Sequence, residues 1–235
     1  MDIKAEEFLH KLQNKLPLPQ ATQVYVVFGE DDYYRSQITA ALPGYIYGDT
    51  DEADRQITVF EKDTDISAVS EAVNTYPFFS GQSLVVLKDD KLWSKGGEEA
   101  RQTVLDKLTA LVNDVPEYCT LLISAPKLDK RTKFYKALKK AALLCECASL
   151  RPYELQPWLD AQAELYGARF EHDAIGMIME YLAPVEKVPL QLLQQEIAKL
   201  AVYAGERRQW TRQDILDACR ARGLTYVTDS TNLTD

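Results

Sequence analysis

The chain has 235 residues, 46% of them hydrophobic, enough to bury one large core or two modest ones. Its formal charge is -9, from 36 acidic and 27 basic side chains. That balance excludes the strongly basic proteins that grip nucleic acid through phosphates alone. No apolar run approaches the length that spans a bilayer, and the stretch Met1 to Glu7 is too acidic for a secretory signal, so the cytoplasm is the expected location.

Ala5, Phe8, Leu12 and Leu16 recur at helical spacing and predict an amphipathic helix over 5–16, ended by Pro17 and Pro19. Val24 to Phe28 is a continuous apolar run, the pattern of a strand covered on both faces. Similar runs at Ile57 to Phe60, Ser83 to Leu87, Thr120 to Ile123 and Leu143 to Cys147 predict further strands. Helical segments over 33–41, 66–74, 98–113 and 132–141 separate them, an α/β alternation that implies a parallel sheet flanked by helices. From Tyr153 onward no strand pattern is visible, and Leu155, Trp158, Leu159, Met177, Tyr181, Leu193, Ile197 and Leu200 follow helical spacing. The expected division is therefore an α/β domain over 1–150, a small all-helical domain over 151–222 opened by Pro152, and a polar tail over 223–235. Gly167 and Gly205 fall where helices should stop, and Thr211 with Asp214 forms a capping box for the last one.

The four cysteines include no C-x-x-C pair. Cys145 and Cys147, two apart in a strand, should place both thiols on one side of the sheet as buried reduced groups. His10 and His172 have no Cys or carboxylate at a ligand spacing, so neither a metal nor a catalytic triad is expected. Two stretches carry more information. Tyr76, Pro77, Phe78 and Phe79 precede the strand Ser83 to Leu87 and put aromatic rings on a tip. The strand ending at Phe28 runs into Gly29-Glu30-Asp31-Asp32-Tyr33-Tyr34, where an ATPase of this architecture would carry Gly-x-x-x-x-Gly-Lys-Ser/Thr. Without the loop glycines, the lysine and the hydroxyl there, no nucleotide cofactor is expected. Asp89 and Asp90, just past an apolar run, faintly resemble an acidic metal-binding strand end, but without a phosphate loop they are expected to be solvated carboxylates.

Five segments can be matched to a family: Tyr25 to Asp31, Pro77 to Gln82, Ala125 to Lys133, Leu150 to Leu155 and Glu196 to Gly205. In order and spacing they resemble the bacterial DNA polymerase III delta subunit, and they extend across nearly the whole chain. The resemblance implies an AAA+-type α/β domain followed by a helical lid, in a non-hydrolysing clamp-loader subunit. It implies a role in replication within the polymerase III holoenzyme, a DNA-directed DNA polymerase: binding the sliding clamp (the beta subunit) and opening it for loading onto primed DNA. Family members carry a third, helical collar domain that joins the subunits; with the sequence reaching only Asp235 it is expected to be absent here, leaving the isolated chain a monomer. Partners would be the clamp and the other clamp-loader subunits, with DNA reached mainly through the complex.

The resemblance places Tyr76, Pro77, Phe78 and Phe79 at the clamp-binding tip. A plug is physically apt, since burying a Phe side chain yields roughly 1.5–3 kcal/mol and aromatic residues dominate interface hot spots. The competing reading is that one of the two Phe rings packs inward against Leu84 and Val86. The helical domain carries Gln191 near where active relatives carry an Arg sensor, and no Ser-Arg-Cys finger motif occurs. Lys127 to Lys140 holds seven basic residues against Asp129, and Lys127, Lys130, Arg131 and Lys133 are candidate contacts to DNA or a neighbouring subunit. The plainer reading buries Phe134, Leu138 and Ala141 on the sheet and leaves the lysines as a wet face. The acidic residues between Asp49 and Asp65 read as a solvated rim. Two rival functions stay open: a divergent ATPase using Gly29 to Tyr34, and a nucleic-acid-binding module using Lys127 to Lys140.

Overall fold

In a computed structural model, residues 1–78, 81–93 and 98–220 are described, without the side chains of 98, 219 and 220. The chain divides into two compact units, Met1–Ala148 and Ser149–Asp235. The first is built on a six-stranded, wholly parallel sheet in the order β1-β6-β2-β5-β4-β3. Its strands are β1 (Asp2–Lys4), β2 (Val24–Phe28), β3 (Gln56–Phe60), β4 (Ser83–Leu87), β5 (Cys119–Ala125) and β6 (Ala142–Glu146). Every residue of β2, β4 and β5 is buried, as continuous apolar runs covered on both faces require. Helices α1 (Ala5–Gln13) and α2 (Asp32–Tyr47) neighbour each other, with Phe8 of α1 stacked 6.0 Å from Tyr25 of β2. Val24, Val26 and Phe28 point into the main core instead, with apolar residues of α3 (Ile66–Asn74), α4 (Glu98–Val112) and α5 (Lys133–Ala141).

Several elements depart from the sequence reading. β3 was expected to be covered on both faces, but it is the edge strand, and Ile57 and Val59 are 38% and 45% exposed. An apolar run marks a strand without saying whether it is central. α1 ends at Gln13, short of Leu16, because Lys15 enters the left-handed region at φ 52° and the Leu16 N–H bonds back to the Lys11 carbonyl at 2.9 Å. α2 runs six residues past its expected end at 41, through Pro43, to Gly48 at φ 57°; the burial of Leu42 and Tyr47 outweighs the one lost N–H donor. β1 is too short to carry a pattern.

The second unit holds α6 (Leu155–Glu164), α7 (His172–Leu182), α8 (Leu190–Ala204) and α9 (Arg212–Arg220). The expected absence of strands is corrected by a two-residue parallel pair, β7 (Arg169–Phe170) with β8 (Gln209–Trp210). It exists because Phe170 and Trp210 are core residues in edge-to-face contact at 5.1 Å. The Thr211 hydroxyl accepts from the Asp214 N–H at 3.2 Å, and the Asp214 carboxylate accepts from the Thr211 N–H at 2.9 Å, so both halves of the capping box are made.

Candidate functional site

α3 begins at an Asp65 cap, whose carboxylate accepts the Ser67 N–H at 2.9 Å, and buries Ile66, Val69 and Val73 against the sheet. It stops at Asn74, ahead of Pro77, which cannot continue a helix and disfavours helical backbone just before it, and the Asn74 carbonyl is taken by the Tyr118 hydroxyl at 3.0 Å. Beyond it the chain turns back toward β4 and presents its rings. Phe78 is 86% exposed and Tyr76 65% exposed, whereas Pro77 is buried; Phe79 lies outside the described residues. Aromatic surface left in water is an unfavourable contact, and docking against another apolar surface would remove it.

The tip is held from below by Gln82 of the same stretch and by Tyr118, Gln56 and Tyr47, which the sequence did not single out. Tyr118, one residue before β5, sets its ring edge-on to Tyr76 at 5.0 Å. The Gln56 side chain of β3 accepts the Phe78 N–H at 3.4 Å, and the Gln56 carbonyl accepts the Tyr47 hydroxyl at 2.6 Å. The Gln82 amide donates to the Ile46 carbonyl at 3.1 Å. α2, β3, β4 and the start of β5 therefore anchor one short turn. The contacts of Gln56 and Tyr118 with this turn and the end of α3 span 22 and 44 residues of sequence, so no local pattern announces them.

At the opposite end of the sheet, beyond the C-terminal ends of β2, β4 and β5, lies the crevice where open parallel sheets bind ligands. Here several of the lining groups are bonded to one another. Gly29, at φ 139°, is pressed against β6: a Cβ there would lie 2.1 Å from the Cys147 carbonyl oxygen. Asp31 is buried and caps α2, accepting the Tyr34 N–H at 3.0 Å where the helix end would otherwise attract an external anion. Burial raises its pKa above the usual carboxylate value, against the hydrogen bonds from Tyr34 and Tyr33. The Arg35 side chain, 7% exposed, reaches across to Asp90 at 3.1 Å, Asp32 at 3.1 Å and the Ser124 hydroxyl at 3.4 Å. Asp89, expected to be solvated, is instead buried at 1% exposure: its carboxylate accepts the Thr64 and Lys91 N–H groups at 3.0 and 3.1 Å. Burial pushes its pKa up, but bonds from Thr64, Lys91 and Leu92 outweigh that and hold it below the usual value. The sequence showed the acidic pair but not the backbone donors that fold onto it. Cys145 and Cys147 are free, buried and 4.0 Å apart through their sulfurs, on one side of the sheet.

The basic residues divide. Lys130 pairs with Glu146 at 2.7 Å and Arg131 with Asp129 at 2.9 Å. Among the described residues Lys127 and Lys133 have no ion-pair partner; Lys127 lines a cleft of about 550 Å³ with Asp129, Trp93 and Phe134. Phe134, Ala137 and Leu138 are the buried face of α5, with Lys136 and Lys140 on the outside.

A parallel sheet in this order, helices on both faces and a helical unit after it are the features of the AAA+ class. Domain III of the Thermotoga maritima replication initiation protein DnaA shares the fold, with a TM-score of 0.52 at 11% identity over 92% of this chain and 90% of that one. Within the class, the family model for the DNA polymerase III delta subunit matches residues 25–148, and the chain belongs to that family. The DNA polymerase III subunit delta of Bacillus subtilis is 28% identical over 200 residues, 82% of this chain and 55% of that protein. The solved structure of the Bacillus subtilis DNA clamp loader delta protein has a TM-score of 0.65 at 22% identity, covering 91% of this chain and 61% of that one. The chain thus spans less than two thirds of either relative.

Proposed function

We propose that this chain binds a bacterial sliding clamp through the turn after α3 and helps to open it for loading, acting by contact and not by hydrolysis. The observation that carries the reading is the Phe78 ring, 86% exposed on a turn steadied from several elements. A rigid, pre-exposed apolar group loses little conformational entropy on docking, which is how a small plug gains useful affinity. Tyr76 flanks it, Phe79 shares the role by its place in the sequence, and buried Pro77 shapes the turn. The bonds already made by Asp31 and Arg35 support the non-hydrolytic half of the proposal. Asp31 at the start of α2 would repel a phosphate, and Arg35 is already taken up by Asp32, Asp90 and the Ser124 hydroxyl. Lys127 and Lys133 remain candidates for contact with DNA or a neighbouring subunit.

Opening is tested with a clamp labelled across its subunit interface by a fluorophore pair that is quenched when closed. Saturating chain is expected to relieve the quenching without ATP, and the Phe78→Ala variant at the same concentration to leave most of it. Unchanged fluorescence with the parent chain bound would contradict the opening role.

A further inference from the structure

The two edges of the sheet are treated differently. β1 is three residues long, carries Asp2 and Lys4, and has Lys139 of α5 bonded to Asp2, so brevity and charge guard it. β3 has neither guard. Gln56-Ile57-Thr58-Val59-Phe60 contains no charge and no proline, and is rich in β-branched residues. Because the Phe60 carbonyl accepts the Lys88 N–H at 2.9 Å, Phe60 faces β4, and the alternation of a parallel ladder turns the N–H and C=O groups of Ile57 and Val59 outward. Among the described residues nothing bonds to them. Their side chains are 38% and 45% exposed as well.

We propose that the free edge of β3 is a strand-addition site for an extended segment of a partner protein that alternates β-branched residues and carries basic residues at its ends. Addition would satisfy the outward backbone groups of Ile57 and Val59 and cover both side chains. The charge preference comes from the flanks. Asp51, Glu52 and Asp54, exposed and without an ion-pair partner among the described residues, precede the strand together with Arg55, and Glu61, which is paired with Lys88, follows it with Lys62, Asp63 and Asp65; acidic groups outnumber basic ones three to one in each flank's sequence. A second copy of this chain would bring the same acidic flanks against these, which is why the occupant assigned is a different, basic-ended segment. The inference rests on β3 alone and does not need the clamp reading.

The test uses a fluorescent peptide, Lys-Lys-Thr-Val-Thr-Val-Thr-Lys-Lys, titrated into the 235-residue chain by anisotropy, with amide exchange read at Ile57 and Val59. Saturable binding with slowed exchange at both amides is expected. N-methylation of the peptide's alternate amides, which removes donors but no side chain, should weaken it by about tenfold or more, and glutamate ends should weaken it further at low salt. Val59→Pro deletes an outward N–H without touching the β3 to β4 ladder and should abolish binding; Val59→Lys replaces it if the proline variant does not fold. No binding of the lysine-ended peptide overturns the proposal, as does equal binding by its N-methylated form. Exchange at Ile57 and Val59 that slows with the chain's own concentration, together with a dimer in sedimentation, would overturn it in favour of a second copy.

Discussion

A methyl group on Gly29 would fall 2.1 Å from the Cys147 carbonyl oxygen, and the residue's φ of 139° is one that side-chain-bearing residues rarely adopt. Gly29→Ala is therefore expected to cost about 2–4 kcal/mol, measured by urea unfolding. Two buried carboxylates make opposite contributions with pH. Asp31 has a raised pKa, so its folded form holds a proton more readily and its charge costs stability as pH rises past about 3.9. Asp31→Asn keeps the cap and should match or exceed the parent at neutral pH, whereas Asp31→Ala should lose about 0.5–2 kcal/mol. Asp89 has a lowered pKa, so its stabilisation is complete above about 3.9 and is lost as pH falls through the folded value. Asp89→Asn should cost about 1–3 kcal/mol at neutral pH, a deficit that shrinks in acid. Unfolding free energies that depended on pH alike in Asp31→Asn and Asp89→Asn would refute the assignment.

At the scale of elements, the turn after α3 is only as well placed as its supports. Tyr118→Phe removes the hydroxyl that closes the end of α3 and should lower the unfolding free energy by about 0.5–1.5 kcal/mol while the sheet stays intact by circular dichroism. The rings on this turn were legible because aromatic residues before an apolar run stand out; Tyr118, Gln56 and Tyr47 were not, since their role exists only once distant elements meet. The central strands could be read from unbroken apolar runs. β3 gave the same signal and lies at the edge, because a run records affinity for a sheet and not a place within it. β1 and the β7 to β8 pair are shorter than any period and are fixed by tertiary pairing.

For the whole molecule, each of the two units has its own buried apolar residues, from Ile3 to Cys147 in the first and from Leu155 to Trp210 in the second. An excised 1–148 segment should unfold in urea as a single cooperative step; a gradual loss of signal would mean that its core depends on the second unit. The acidic balance of the chain and the internal ion pairs of Lys130 and Arg131 direct attention away from phosphates and toward an apolar docking site. The most direct measurement is titration calorimetry of the chain against a bacterial sliding clamp, beside a Phe78→Ala variant shown to be folded. Saturable binding that weakens about ten- to a hundredfold in the variant is the predicted result. No binding by the parent, or equal affinity for the two proteins, would contradict the account.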